Sequence, residues 1–147
     1  MTSGRFTHAI VRSLNALSTL AGRDSQRAQH LQVGERGEEQ AYFYLRRLGY
    51  VMVSRNYRSP RLRGEIDLIG WEDGILCFIE VKTRTGRDIK PAEAAVDSAK
   101  KREICAVARD YLRRVPGSPP HRFDVLTVYY DTPRPEVTLY RNAFSMT

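Results

Sequence analysis

The segment Glu72-Asp73-Gly74 constrains this chain more than any other feature, because two apolar runs flank it at hairpin spacing. EIDLIGW occupies 65–71 and ILCFIEVKTR occupies 75–84. Asp-Gly between such runs favours a tight turn joining antiparallel strands. Alternate side chains of a strand share a face, so Glu80 and Lys82 point one way while Ile79 and Val81 point the other. Glu65 and Asp67 share a face of the preceding strand, opposite Ile66 and Leu68. Paired as a hairpin, the two strands bring Asp67 and Glu80 toward each other.

The rest of the chain offers that hairpin its partners. Residues 35–48 place Glu38, Ala41, Leu45 and Leu48 at helical steps, and Gly49 supplies a stop. YVMVSRNY at 50–57 reads as a strand, and Pro60 and Gly64 break the basic loop that follows it. Pro91 opens a helix reaching about Arg114, with Val96, Ile104, Val107, Ala108, Tyr111 and Leu112 as its apolar stripe. RFDVLTVYYD at 122–131 and VTLYRNAF at 137–144 read as two further strands. The long helix before the fourth strand allows a parallel crossover. The expected fold is therefore α/β, a mixed central sheet of about five strands flanked by helices. A length of 147 residues suits one such domain, 34–147, plus a tail. Residues 1–33 carry four arginines and one aspartate and read as a flexible basic N-terminal arm.

Charged residues stand where core residues belong. Glu80 and Lys82 end the run ILCFI, which reads as a buried central strand, where unpaired charge is expensive. Two carboxylates meeting on a sheet repel and raise each other's pKa unless a cation neutralises them. A hard cation such as Mg²⁺ takes oxygen ligands, which suits Asp67 with Glu80. Lys82 could then orient or activate a water, or steady phosphate charge. Glu38 shares a helical stripe with Ala41 and Leu45, and Lys100 lies between Val96 and Ile104 at four-residue steps, so both face inward. An isolated E-x-K is most simply a cross-strand ion pair on a solvated face. An isolated inward charge is most simply a snorkelling side chain. One common polar site explains all five charges together.

The segment SRNYRSPRLRG leads directly into that site with Arg55, Arg58, Arg61 and Arg63, and Tyr57 lies among them. Arginines on phosphates add sequence-independent affinity, and a tyrosine can stack on a base. The plainer alternative is a solvated loop with Tyr57 in the core. Thr83 and Arg84 extend the same polar end.

Several segments resemble the YraN, or UPF0102, family of small bacterial proteins: GERGEEQAYFYLRRLGY (34–50), SRNYR (54–58), GEIDLI (64–69), FIEVKTR (78–84), AVDSAKKREICAVARDYL (95–112), RFDVL (122–126) and NAF (142–144). The resemblance spans residues 34 to about 144 and leaves out the N-terminal arm. It implies a restriction-endonuclease-like fold, similar to archaeal Holliday-junction resolvases and other PD-(D/E)xK nucleases. Their helix glutamate, strand aspartate and E-x-K fall on Glu38, Asp67, Glu80 and Lys82. The likeness implies Mg²⁺ or Mn²⁺ held by Asp67, Glu80 and the carbonyl of Val81. It also admits a homodimer, since resolvase-like nucleases often pair two sites, though no segment marks an interface. Ile66 stands where the superfamily motif has its proline, a substitution common in that superfamily.

Charge agrees with a polyanionic partner, since 24 basic against 17 acidic side chains leave +7. Cys77 and Cys105 form no CxxC pair, which argues against zinc and against a disulfide framework. No run approaches the roughly 18 apolar residues of a membrane span. Residues 8–22 are moderately apolar, but Arg12 and Asn15 interrupt any signal-peptide core, so a cytoplasmic protein with no membrane partner is expected. His8, His30 and His121 have no ligand or catalytic pairing, and no P-loop, GxSxG or Rossmann glycine pattern occurs. The expected function is a metal-dependent nuclease on DNA, branched or damaged, with Asp67, Glu80, Lys82 and Glu38 catalytic. Arg55, Tyr57, Arg58, Arg61, Arg63, Arg84 and Lys100 are expected on the nucleic acid. The alternative is a nucleic-acid-binding or scaffold protein that keeps the fold without cleavage.

Overall fold

The computed structural model describes residues 4–85 and 96–146, with side chains from residue 22 onward. Helix α1 is Gly4–Arg47, followed by strands β1 (Val51–Arg58), β2 (Glu65–Glu72) and β3 (Ile75–Arg84). Helix α2 (Ser98–Leu112) and strands β4 (His121–Tyr129) and β5 (Glu136–Phe144) complete the order. The chain divides into two compact units, Met1–Glu35 and Arg36–Thr147.

In the second unit the five strands lie in sequence order, β1-β2-β3-β4-β5. Three neighbour pairs are antiparallel, and β3 with β4 is parallel. The expected five-stranded mixed sheet is thus present, and α2 lies in the crossover between its parallel strands. Asp73 and Gly74 both take positive φ, 49° and 79°, as a two-residue hairpin turn demands. Alternation sorts β3 onto two cores. Leu76 and Phe78 pack with Ile104, Val107 and Ala108 of α2. Cys77, Ile79 and Val81 pack with Ala41 and Leu45 of α1. With both faces covered, β3 is the buried central strand its composition suggested.

Both helices differ from expectation at their starts. α1 does not begin at 35, because no proline stands before Pro60 and isolated glycines are tolerated within a helix. It does end as expected. Gly49, at φ +97°, donates to the Arg46 carbonyl, and Tyr50 donates to that of Leu45, each at 3.1 Å. That is the six-to-one closure of a helix C-terminus, sealed by Tyr50 packing in one core with Leu45. Leu48 falls in this turn and is 44% exposed, so it leaves the apolar stripe on which it was placed. The helix expected from Pro91 begins at Ser98, because Asp97 caps it by accepting the Lys100 N–H at 2.8 Å. Residues 91–95 lie outside the described residues.

Candidate metal centre

The site lies where β2 and β3 part. Their register pairs run from Glu72↔Ile75 to Leu68↔Ile79 and go no further. Just beyond, the Val81 N–H donates to the Asp67 carboxylate at 2.7 Å. A side chain thus occupies a strand amide close to the last ladder pair. β2 also loses strict alternation here. Ile66 and Ile69 enter the α2-side core together, whereas Leu68 joins the α1-side core. The expectation that Ile66 and Leu68 share a face therefore fails, although β2 keeps one register with β1 from Ile69 to Glu65.

Both carboxylates are buried, Asp67 at 6% exposure and Glu80 at 4%. Glu80 Oε1 accepts from Lys82 Nζ at 2.8 Å. Its Oε2 is buried without a hydrogen-bond partner, and Lys100 Nζ stands 3.6 Å from it. That separation gives Coulomb attraction without a hydrogen bond. Asp67 is pushed up to about 8, first by burial and then by the Glu80 charge. Glu38 adds to the rise, while the Val81 N–H and Lys100 oppose it. The five inward charges read from the sequence therefore meet electrostatically at one place: Asp67 senses Glu38, Glu80 and Lys100, and Lys82 is bonded to Glu80.

Glu38 reaches this neighbourhood because α1 comes very near β3. A Cβ built on Gly37 would stand 1.9 Å from Thr83 Oγ1, so only glycine permits the approach. Among the described residues, no group of three or more His, Cys, Asp or Glu side chains is arranged to hold a metal ion. The donor set that fits is two carboxylates, a backbone carbonyl and outside oxygens, which is the kind of set Mg²⁺ accepts. The raised Asp67 follows from its burial beside the Glu80 charge, and Glu80 Oε2 is buried without a hydrogen-bond partner.

The basic segment separates into parts. Arg58 is ion-paired to Glu65 at 2.6 Å and lines a cleft of about 270 Å³ with Gly64, Lys100 and Glu103. Arg61 and Arg63 are exposed on the loop that follows. Ser59 anchors that loop, donating to Asp110 at 2.8 Å, and Arg114 bonds the same carboxylate at 2.8 Å. Tyr57 sits on the flank of the core: its ring meets Tyr111 edge-on at 5.0 Å, and its hydroxyl accepts from Arg114. Arg55 lies elsewhere, over the Tyr42 ring at 4.9 Å. Arg84 is half-buried, and its carbonyl accepts from Tyr130 N–H at 3.0 Å.

Sequence reading missed the Ser59–Asp110 anchor, although Asp110 and Arg114 stand at the four-residue step of a helical ion pair. It also missed a polar lock. Arg122 joins Glu72, the buried Asp124 and the Tyr50 hydroxyl, and Arg141 closes on Glu72 at 2.6 Å. Nothing local announces that network.

The family model described as "Uncharacterised protein family UPF0102" matches residues 37–128. This chain belongs to the UPF0102 family. A UPF0102 protein of Koribacter versatilis is 52% identical over 139 residues, covering 95% of this chain and 94% of its own. One from Solibacter usitatus is 43% identical over 112 residues, covering 76% and 84% respectively. A third, from Symbiobacterium thermophilum, is 45% identical over 97 residues, covering 65% and 80%. The stretch matched by the UPF0102 model holds Glu38, Asp67, Glu80, Lys82 and Lys100, and so the whole candidate centre. Among the described residues of this UPF0102 protein, no helix is long and apolar enough to cross a membrane.

Proposed function

We propose that this UPF0102 protein is a divalent-cation-dependent nuclease that hydrolyses DNA phosphodiesters. The observation that carries the reading is the buried pair Asp67 and Glu80, from adjacent strands that part at that point, with Lys82 bonded to the same carboxylate. Two buried carboxyls are costly to ionise side by side, and a fold keeps them where a cation or substrate repays the cost. Asp67, Glu80 and the Val81 carbonyl would hold Mg²⁺ or Mn²⁺. When bound, the ion would acidify an attacking water and neutralise charge growing on the phosphate.

The chain's own groups do the rest. Lys82 Nζ is an ammonium beside the scissile position, placed to donate to phosphate or to orient the water. Glu38 adds negative potential that favours the ion. Arg61 and Arg63, exposed on the anchored loop, meet flanking phosphates without reading sequence. The Lys100 cleft adjoins Glu80 and suits the strand beside the cut.

One observation favours a second reading. Lys82 and Lys100 already offset Glu80 without any metal, as they would in a binding or scaffold protein that does not cut. Incubating purified protein with duplex, nicked, branched and single-stranded DNA under Mg²⁺, Mn²⁺ or EDTA separates the two. The nuclease reading expects metal-dependent products. Binding without products under either metal gives the second reading its place.

A further inference from the structure

A second surface runs along β1, an end strand of the sheet, so one edge of β1 pairs with no strand among the described residues. Two adjoining clefts, about 410 and 370 Å³, share Tyr42 and Met52 there. One extends over Val53, Ser54 and Arg55, the other over Arg46 and Val51. Among the described residues, no lining residue of either cleft is acidic. The cleft at Lys100 differs, because there Glu65 and Glu103 balance the two cations.

The Tyr42 ring organises this surface. The Arg55 guanidinium stands 4.9 Å from its centroid, that of Arg46 stands 5.9 Å away, and Phe43 meets it edge-on at 5.4 Å. Phe43 is nevertheless 47% exposed, and Val51 is 64% exposed. An unpaired apolar edge is a liability unless something covers it. A second copy seated on this surface through the same two clefts would bring no acidic lining residue to these arginines. A peptide strand would use the edge and leave both guanidiniums without a counter-charge. Duplex DNA would offer phosphates but keep its bases stacked on one another. Single-stranded nucleic acid uses every feature: phosphates for the cations, and exposed base faces for the aromatic ring.

We infer that the β1–α1 groove binds single-stranded nucleic acid, with phosphates held by Arg46 and Arg55 in the groove and a base stacked on Phe43, which adjoins it through Tyr42. Tyr42 is the platform that holds both guanidiniums in place. This binding uses no residue of the carboxylate centre and needs no metal.

The test is fluorescence anisotropy on the full chain in EDTA, with labelled oligothymidine of about 12 nucleotides and a duplex of equal length. Phe43→Ala should weaken single-strand binding roughly 5- to 150-fold and leave duplex binding unchanged. Phe43→Trp, which keeps a π face, should restore it. Arg46→Ala and Arg55→Ala should each lower the salt slope of single-strand affinity by about 0.7. Equal single-strand affinity in Phe43→Ala, or an equal loss for both nucleic acids, overturns the inference. So does a dimer in sedimentation that Val53→Glu disrupts, since a second copy would then own the edge. EDTA prevents cleavage, so failure here leaves the nuclease reading untouched, and failure of that reading leaves the groove untouched.

Discussion

Replacing Asp67 by Asn isolates what burial and the Glu80 charge do to this acid. The folded chain holds Asp67 near 8, whereas the unfolded chain releases the proton near its ordinary 3.8. A carboxyl raised by folding favours the native state fully only below the unfolded pKa. That contribution drains away as pH climbs toward the folded value. Between pH 5 and pH 9 the metal-free protein should lose about 4 kcal/mol through this one group, at about 1.4 kcal/mol per pH unit up to 8. Asparagine copies the shape of the protonated acid, can still accept from the Val81 N–H, and cannot ionise. Urea unfolding in EDTA from pH 5 to pH 9 gives the difference between parent and variant, in which the groups that do not sense Asp67 cancel and the Asp67–Glu80 pair remains. The parent should fall below the variant as pH rises. Excess Mg²⁺ should shrink the gap most at high pH, because the cation compensates the ionised pair. Parallel stability profiles across that range would refute the reasoning, since Asp67 would then be ionised in the native protein throughout.

Three further outcomes follow from the same geometry. Glu80→Gln should lower cleavage by orders of magnitude and abolish stabilisation by Mg²⁺ while metal-free DNA affinity holds or rises, and Lys82→Ala should slow cleavage with metal affinity nearly intact, all measured by gel assay and calorimetry. Arg58→Ala, Arg61→Ala and Arg63→Ala combined should flatten the salt dependence of duplex binding by about 0.9 for each phosphate no longer neutralised, and an unchanged slope removes the loop from the interface. Gly37→Ala should cost about 1–3 kcal/mol in urea unfolding through its clash with Thr83, offset by up to about 1 kcal/mol of helix propensity, and Thr83→Ala in the same chain should recover much of that stability.

The strands, the hairpin and the meeting of Asp67 with Glu80 were legible because each rests on local chemistry. Asp73-Gly74 can take positive φ, alternation sorts β3 onto two faces, and a turn of known length sets the register across it. Glu38 and Lys100 were legible for the same kind of reason, since helical spacing binds a residue to the face of its neighbours. Helix starts were less so. Asp97 caps α2 through one hydrogen bond that competes with the attractive proline upstream, and α1 continues to Gly4 because nothing forbids it.

What tertiary structure decided was the fate of groups whose partners lie far along the chain. The parting of β2 from β3 depends on which acceptor takes the Val81 N–H, and Asp67 wins it from fourteen residues away. Arg55 stands apart from the other arginines of the segment because α1 presents the Tyr42 ring to it. Tyr57 settles on the core flank because α2 brings Tyr111 and Arg114 to its ring and hydroxyl. Arg122 finds Tyr50 across 72 residues and Glu72 across 50, a lock that exists only once the sheet has closed. Local pattern decides which face a side chain points to. Only packing decides what it meets there.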